Sequence, residues 1–450
     1  MPNSFNSGLL VFTNDLRLHD NPALLAAARQ SVSLGCVYID DRKQTRASDF
    51  GLRGFGLRGF GSNRDRFLRQ SLEGLNEQLK HLGQHLYYDD GSFTAKIAEL
   101  VNLYNIEAVF YSVHAGLDER RRWQALMKAF PGVHFFEHHS STLFEVDQLV
   151  YPEGFPPTYS KFRKNAEKWP IVAPRPAPDS LPPSFLPKQR TRIQENGRIK
   201  KSTSKGLSFG FRGGERAGLK HLKTYFSSAS AQAYKSTRNA LDGWNTSTKF
   251  SPWLATGCLS ARFVYQSLRE HEDAKGANQD TYWIFFELLW REYFQWYAHA
   301  HNAKLFRFRG LAPTSPLTSF YPERFRKWIE GYTPFPLINA CMNQLSHTGF
   351  MSNRGRQIVA SCLVNELSLD WRIGAAYFEQ QLIDYDVASN WGNWQYIAGV
   401  GTDPRGGRHF NIEKQTAIYD PDGDFIDKWT SAPAIENLDS VDAADWPIEP

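Results

Sequence analysis

Cysteine and methionine are scarce in this 450-residue chain, at four each. Cys36, Cys258, Cys341 and Cys362 lie far apart and form no C-x-x-C pair. That argues against a disulfide framework or a metal site, and it fits a reducing cytoplasm. The last three sit in apolar, helix-like stretches and read as buried thiols. No apolar run is long enough to span a bilayer, so no membrane partner is expected. The first residues lack a basic n-region, and Leu9–Thr13 reads as a first strand and not as a secretory leader. A strong charge bias is missing too. A net charge of +5 permits a nucleic-acid partner without arguing for one.

What is present is unevenly spread. Lys188–Lys223 carries eleven Lys or Arg against two acidic residues, and Asp420–Pro450 carries nine acidic residues against one Lys. Two solvated charge runs give this pattern, and so does a polyanion site held away from an acidic end. Eleven of the thirteen tryptophans lie at or after Trp244, so the C-terminal half needs many indoles.

Short β-branched or aromatic runs, Leu9–Phe12, Leu34–Ile39, His85–Tyr88, Ala108–Val113 and Val133–Phe136, alternate with segments of helical period. The helical segments are Pro22–Arg29, Arg66–His81, Thr94–Tyr104 and Leu117–Ala129. This alternation predicts an α/β domain with a doubly wound parallel sheet over residues 1–140. Gly54–Gly59 matches G-x-G-x-x-G, but it lies well past the nearest strand and inside a GLRGF tandem repeat. It reads as a mobile Gly-rich loop and not as a dinucleotide fingerprint. Residues 141–206 are Pro-rich and polar, an interdomain linker. Residues 207–430 form an all-α domain, with helices over Leu219–Phe226, Ala261–His271, Tyr282–His299, Phe325–Glu330, Pro336–Leu345, Gly355–Leu367 and Trp371–Leu382. Residues 431–450 are a mobile acidic tail.

Three clusters carry chemistry. Trp283, Glu287, Trp290, Arg291 and Phe294 share one helical face. The carboxylate and guanidinium there either form a buried bridge or face a polar ligand in an aromatic pocket. In Gly349–Gln357, Asn353 is placed to cap the helix that follows. Arg354 and Arg356 then fall in its first turn, where the dipole disfavours cations unless phosphates or carboxylates lie near. Asp384 and Asp386 supply two such carboxylates, ahead of Asn390 and Trp394.

These clusters, with the opening Val11–Leu24, Phe211–Glu215 and Thr248–Gly257, resemble the photolyase and cryptochrome family in order and spacing across roughly residues 8–430. The variants in Thr248–Leu254, Met351–Gln357 and Tyr385–Trp394 resemble its DASH branch. The resemblance implies an FAD held in the helical domain. Tyr234, Thr248, Lys249, Phe250 and Ser251 would hold its phosphates and ribityl chain. Trp283, Glu287 and Arg291 would line the pocket, with Asn353 beside it. Arg356 and Asp384 would pair beside the ring system, Asp386 would bond it, and Asn390 would face its N5. Trp394 and Trp371 match the inner pair of the family's electron relay, and packing aromatics is the other reading of both. Near Thr318 the expected third tryptophan is missing, with Tyr321 or Trp328 as stand-ins.

The resemblance also implies a substrate. Glu287, Trp290, Asn353 and Arg354 would meet a flipped-out pyrimidine dimer. Gln357 and Tyr396 give a more polar pocket wall than duplex-repairing relatives carry, which favours single-stranded DNA over duplex DNA or RNA. Glu119 matches a ligand of the family's antenna, 5,10-methenyltetrahydrofolate, and an ordinary acidic residue at a helix start would look the same. The expectation is a monomeric, light-dependent deoxyribodipyrimidine photolyase. The alternative is a blue-light receptor that signals through a partner.

Overall fold

The computed structural model describes residues 5–41, 55, 59–149, 151, 154–188, 210–402, 406–431 and 433–439. Five parallel strands form one sheet in the order β3-β2-β1-β4-β5: β1 (Phe5–Val11), β2 (Ser31–Asp40), β3 (Leu86–Asp90), β4 (Ala108–Ser112) and β5 (His134–His138). Four helices connect them: α1 (Pro22–Gln30), α2 (Ser62–His81), α3 (Phe93–Leu103) and α4 (Leu117–Ala129). The two-residue period of a strand sends Leu10 toward α1 and α2, and Leu9 and Val11 toward α3 and α4. Both faces are therefore covered, as a doubly wound sheet requires.

The helical region holds the predicted helices within a few residues of their expected ends. Six α-helices among the described residues that period alone did not reveal are Tyr159–Ala166, Tyr234–Thr237, Ser251–Ala255, Val387–Ile397, Ile412–Tyr419 and Asp424–Trp429. The first lies inside the Pro-rich linker. Buried Glu292 ties that linker down, accepting from Leu143 N at 2.8 Å, Phe144 N at 3.2 Å and Trp296 Nε1 at 2.6 Å. Farther along, Leu34 N donates to Pro183 O at 3.0 Å and Leu186 packs against the sheet. The described part of the linker, up to residue 188, is thus a packed strap.

Sheet and helices meet at a buried polar junction. Arg17 spends its guanidinium on four carbonyls: His19 and Gly257 at 2.9 Å, Asp20 at 2.8 Å and Ser140 at 2.7 Å. Arg262 reaches Asp20 at 3.2 Å and Glu145 at 2.6 Å. Glu215 accepts from Leu18 N at 2.9 Å and His19 N at 3.1 Å, and it pairs with the His19 ring. Gly257 has φ of +70°, and a Cβ there would stand 1.9 Å from the Asn14 carbonyl oxygen. The opening motif is spent on this junction. No helix among the described residues is long and apolar enough to cross a membrane. All four cysteines are buried free thiols. The Gly-rich repeat (except Phe55, Gly59 and Phe60), most of the basic run and the last residues of the acidic tail lie outside the described residues.

Candidate functional site

The helical region encloses a cavity of about 370 Å³, with an adjoining lobe of about 100 Å³. Three elements build it. One is the long helix Gln279–His301, whose i, i+3, i+4 and i+7 side chains Glu287, Trp290, Arg291 and Phe294 line one wall. The second is the turn leading into the short helix Ser251–Ala255, which brings Thr248, Lys249, Phe250 and Ser251 to the opposite side. Helices Asn353–Ser361 and Val387–Ile397 close the rest with Arg356, Gln357, Asp386, Ser389 and Tyr396.

Lys249 is the unusual residue. It has φ of +54°, and its side chain is buried. Among the described residues it forms no ion pair, and its ammonium lies 5.1 Å from the Phe350 ring centre. Burial pushes its pKa down to about 8. A left-handed backbone and a desolvated, unpaired cation are both costly, and both are sensible where an anion binds. Arg356 Nη2 pairs with both oxygens of buried Asp384, at 3.0 and 2.7 Å, and Ser251 Oγ donates to the same carboxylate at 2.6 Å. Arg356 Nε donates to Met351 O at 2.9 Å, so the guanidinium is oriented from two sides.

On the opposite wall Glu287 pairs with Arg238. Burial raises the Glu287 pKa, and Arg238 only partly offsets it. Trp290 is stacked face to face on Tyr159 of the linker helix, ring centres 3.7 Å apart at 12°. The ring edge of Tyr396 stands 6.0 Å from Trp290 at 74°.

Most expected residues come together here. Tyr234, Thr248, Lys249, Phe250, Ser251, Glu287, Trp290, Arg291, Asn353, Arg356, Gln357, Asp384, Asp386 and Tyr396 line the cavity. Asn390 and Trp394 line the smaller lobe, where Asn390 Nδ2 donates to Ala375 O at 3.0 Å. Asp386 departs in part from its expected role. Its oxygens already accept from Ser389 N at 2.7 Å and Gln295 Nε2 at 2.8 Å, making it the N-cap of its own helix.

Two expected residues, Trp283 and Arg354, are not among those lining the cavity, Asn353 lines it without its expected capping role, and Glu119 lies in the sheet domain. Trp283 is not among the cavity-lining residues; its ring stacks on Phe286 at 4.6 Å under Lys235, and Ile284 takes the lining place. Asn353 is not the cap. Ser352 is, accepting from Gly355 N at 3.1 Å, because a hydroxyl one residue earlier meets the free N–H directly. Arg354 turns away from the cavity toward Phe410 and Tyr419, 5.7 and 5.0 Å from their ring centres. Glu119 opens α4, 3.7 Å from His114 Nδ1.

The relay pair also divides. The ring contacts of Trp394 are with Phe378 at 5.2 Å and Trp328 at 6.3 Å, whereas Trp371 meets Trp391 at 5.8 Å. Sequence reasoning missed Arg238 and Tyr159. The i, i+4 spacing of Tyr234 and Arg238 was the available signal for the first. Nothing in the Pro-rich linker marked the second.

Comparison with known proteins places this geometry. The family description "DNA photolyase" matches residues 9–181, and "FAD binding domain of DNA photolyase" matches residues 283–447. The chain belongs to the photolyase and cryptochrome family. Its place there is the DASH branch: it is 50% identical over 446 residues to the cryptochrome DASH of Idiomarina loihiensis, covering 99% of this chain and 97% of that one. The cryptochrome DASH of Vibrio parahaemolyticus is 46% identical, with 98% and 97% covered. Among solved structures, the Synechocystis cryptochrome superposes with a TM-score of 0.86 at 38% identity, covering 95% of this chain and 89% of that one. A class III photolyase from Agrobacterium tumefaciens gives 0.80 at 26% identity, with 94% and 86% covered.

The cofactor of the site is FAD, and the donor set fits it. The Thr248 hydroxyl with the unpaired Lys249 ammonium suits a pyrophosphate. The oriented Arg356–Asp384 pair suits a ring system that carries charge.

Proposed function

We propose that this chain is a light-driven lyase that splits cyclobutane pyrimidine dimers in single-stranded DNA. Reduced FAD, when bound, supplies the electron that light makes available. The chain's own residues do the rest. Glu287 holds the polar edge of the dimer; burial raises the pKa of its carboxyl and Arg238 pulls it back down. Trp290 gives a rigid aromatic wall, braced from behind by Tyr159. Asn353 and Gln357 add amide contacts from the third wall. A dimer must leave the stack to enter, which costs a few kcal/mol from duplex and little from a single strand.

The observation that carries the single-strand preference is the cavity wall itself. Beside Trp290 it presents the Tyr396 phenol and the Gln357 amide, less stacking surface than a second indole and a thioether would give. The test is illumination of the reduced holoprotein with dimer-containing oligothymidine, free and annealed. Thymine recovery from the free strand well above that from the duplex supports the reading. No recovery from either sinks it. Glu119 would hold a folate antenna, 5,10-methenyltetrahydrofolate, which a near-ultraviolet band in the purified protein would report.

One observation favours a second reading, a blue-light receptor. Leu438 and Asp439 dock on helix Pro322–Glu330: Arg324 Nε donates to Asp439 at 2.7 Å, and Lys327 Nζ to Leu438 O at 2.5 Å. That helix carries Trp328, which touches Trp394. Limited proteolysis of this end in dark and light tests it, and identical cleavage would reject it.

A further inference from the structure

The helix that opens at Asn353 changes character after Ser361, where its ladder widens into a π turn, Cys362–Glu366. A π turn is rare and is frequently found at functional sites. Here three neighbouring side chains clasp residues 408–410. Asn365 Nδ2 donates to Arg408 O at 3.1 Å and is itself steadied by Ser361 O at 3.0 Å. Ser361 Oγ accepts from Phe410 N at 2.9 Å, and Glu366 Oε1 meets His409 Nε2 at 2.7 Å.

From the clasped segment the Arg408 side chain reaches a residue of the pocket wall. Arg408 Nη2 donates to the Tyr396 hydroxyl at 2.5 Å, its guanidinium 5.1 Å from that ring centre. The Phe410 ring lies 5.7 Å from the Arg354 guanidinium. Tyr396 is half-buried and lines the cavity beside Trp290.

We propose that the π turn is a positioning device for the substrate pocket. Asn365, through the Arg408 carbonyl, sets where Arg408 holds the Tyr396 hydroxyl, and so fixes the wall beside Trp290 against an unpaired pyrimidine dinucleotide. Asn365 is exposed and does not line the cavity, so it is a positioning residue and not a catalytic one. A phenol held before the substrate arrives need not be ordered on binding, so the device acts on affinity more than on the chemical step. This inference rests on the repair reading above.

The test is steady-state repair of dimer-containing single-stranded oligothymidine by the reduced holoprotein, with KM and kcat taken separately. Asn365→Ala and Asn365→Asp are expected to raise KM about fivefold, the worth of one hydrogen bond, with kcat changed by less than about twofold. Tyr396→Phe should raise KM to the same extent, and the double variant Asn365→Ala/Tyr396→Phe no further. Flavin absorbance of each purified variant reports folding apart from activity. Should Asn365→Ala lose flavin, Asn365→Asp and Glu366→Gln carry the test, the latter with a smaller rise. A KM unchanged in the folded variants, or additive effects in the double variant, overturns the inference alone. Wild-type protein that does not repair the oligomer sinks the repair reading and this inference with it.

Discussion

Two regions of the molecule bury ionic side chains, and they treat them differently. At the junction of sheet and helices every charge is answered by protein. Arg17 is spent on four carbonyls, Arg262 on Asp20 and Glu145, and Glu215 on two backbone N–H groups and His19. In the cavity Lys249 is answered by no ion pair among the described residues, and Glu287 is paired with Arg238 while burial still raises its pKa. Saturation marks a junction that holds two domains in one register. Incomplete pairing around open volume marks a ligand site. The same residue types therefore say opposite things, and the hydrogen-bond ledger separates them.

The largest effect is expected at the junction. Arg262→Met removes the charge partner of buried Asp20, leaving it the Ser260 hydroxyl and the Arg175 N–H, and should cost about 3–5 kcal/mol in urea unfolding. A loss under about 1 kcal/mol would mean the junction tolerates an unpaired carboxylate and would erase the contrast with the cavity. Next comes Glu287→Gln, which should lower kcat/KM for dimer repair about thirty- to hundredfold while leaving the protein folded. Wild-type kinetics in this variant would remove Glu287 from the reaction.

A smaller effect sharpens the cavity side. Lys249 is protonated below about 8 and neutral above. Its attraction for a phosphate is therefore present at neutral pH and lost as pH rises through that value. FAD binding to apoprotein, followed by flavin fluorescence, should weaken between neutral and alkaline pH. Lys249→Met should bind about tenfold more weakly at neutral pH and show a flat profile there. The smallest expected effect concerns the aromatic path. Because Trp394 meets Trp328 and not Trp371 in ring contact, Trp328→Phe should slow photoreduction of the bound flavin more than Trp371→Phe. The reverse ranking, by absorbance under blue light with an external reductant, would return the path to Trp371.

Several features were legible before any coordinates. Alternating runs gave the five strands and their helices, because a buried parallel strand must be apolar throughout and a helix covering it must repeat every three to four residues. Glu287, Trp290 and Arg291 were legible as one face of a single helix. Trp283 misled, since period predicts the face of a helix but not which way a ring turns at its rim. Tyr159 was invisible, because a Pro-rich linker has no period to read and its short helix packs against Phe286, Trp290 and Tyr293 far along the chain. Arg354 and Arg356 looked alike in the sequence, yet one meets Asp384 and the other lies against Phe410 and Tyr419.

The sequence by itself determined the layered architecture, the family and most of the residues that meet at the cavity. Those follow from local period and from motifs whose members keep fixed spacing. Only the tertiary structure decided which charges are saturated and which remain for a ligand, and that a π turn far from Tyr396 in sequence clasps the segment that holds it. Pairing of charges and orientation of rings depend on which segments pack together across long separations. No local pattern encodes that, because each partner is chosen by the fold.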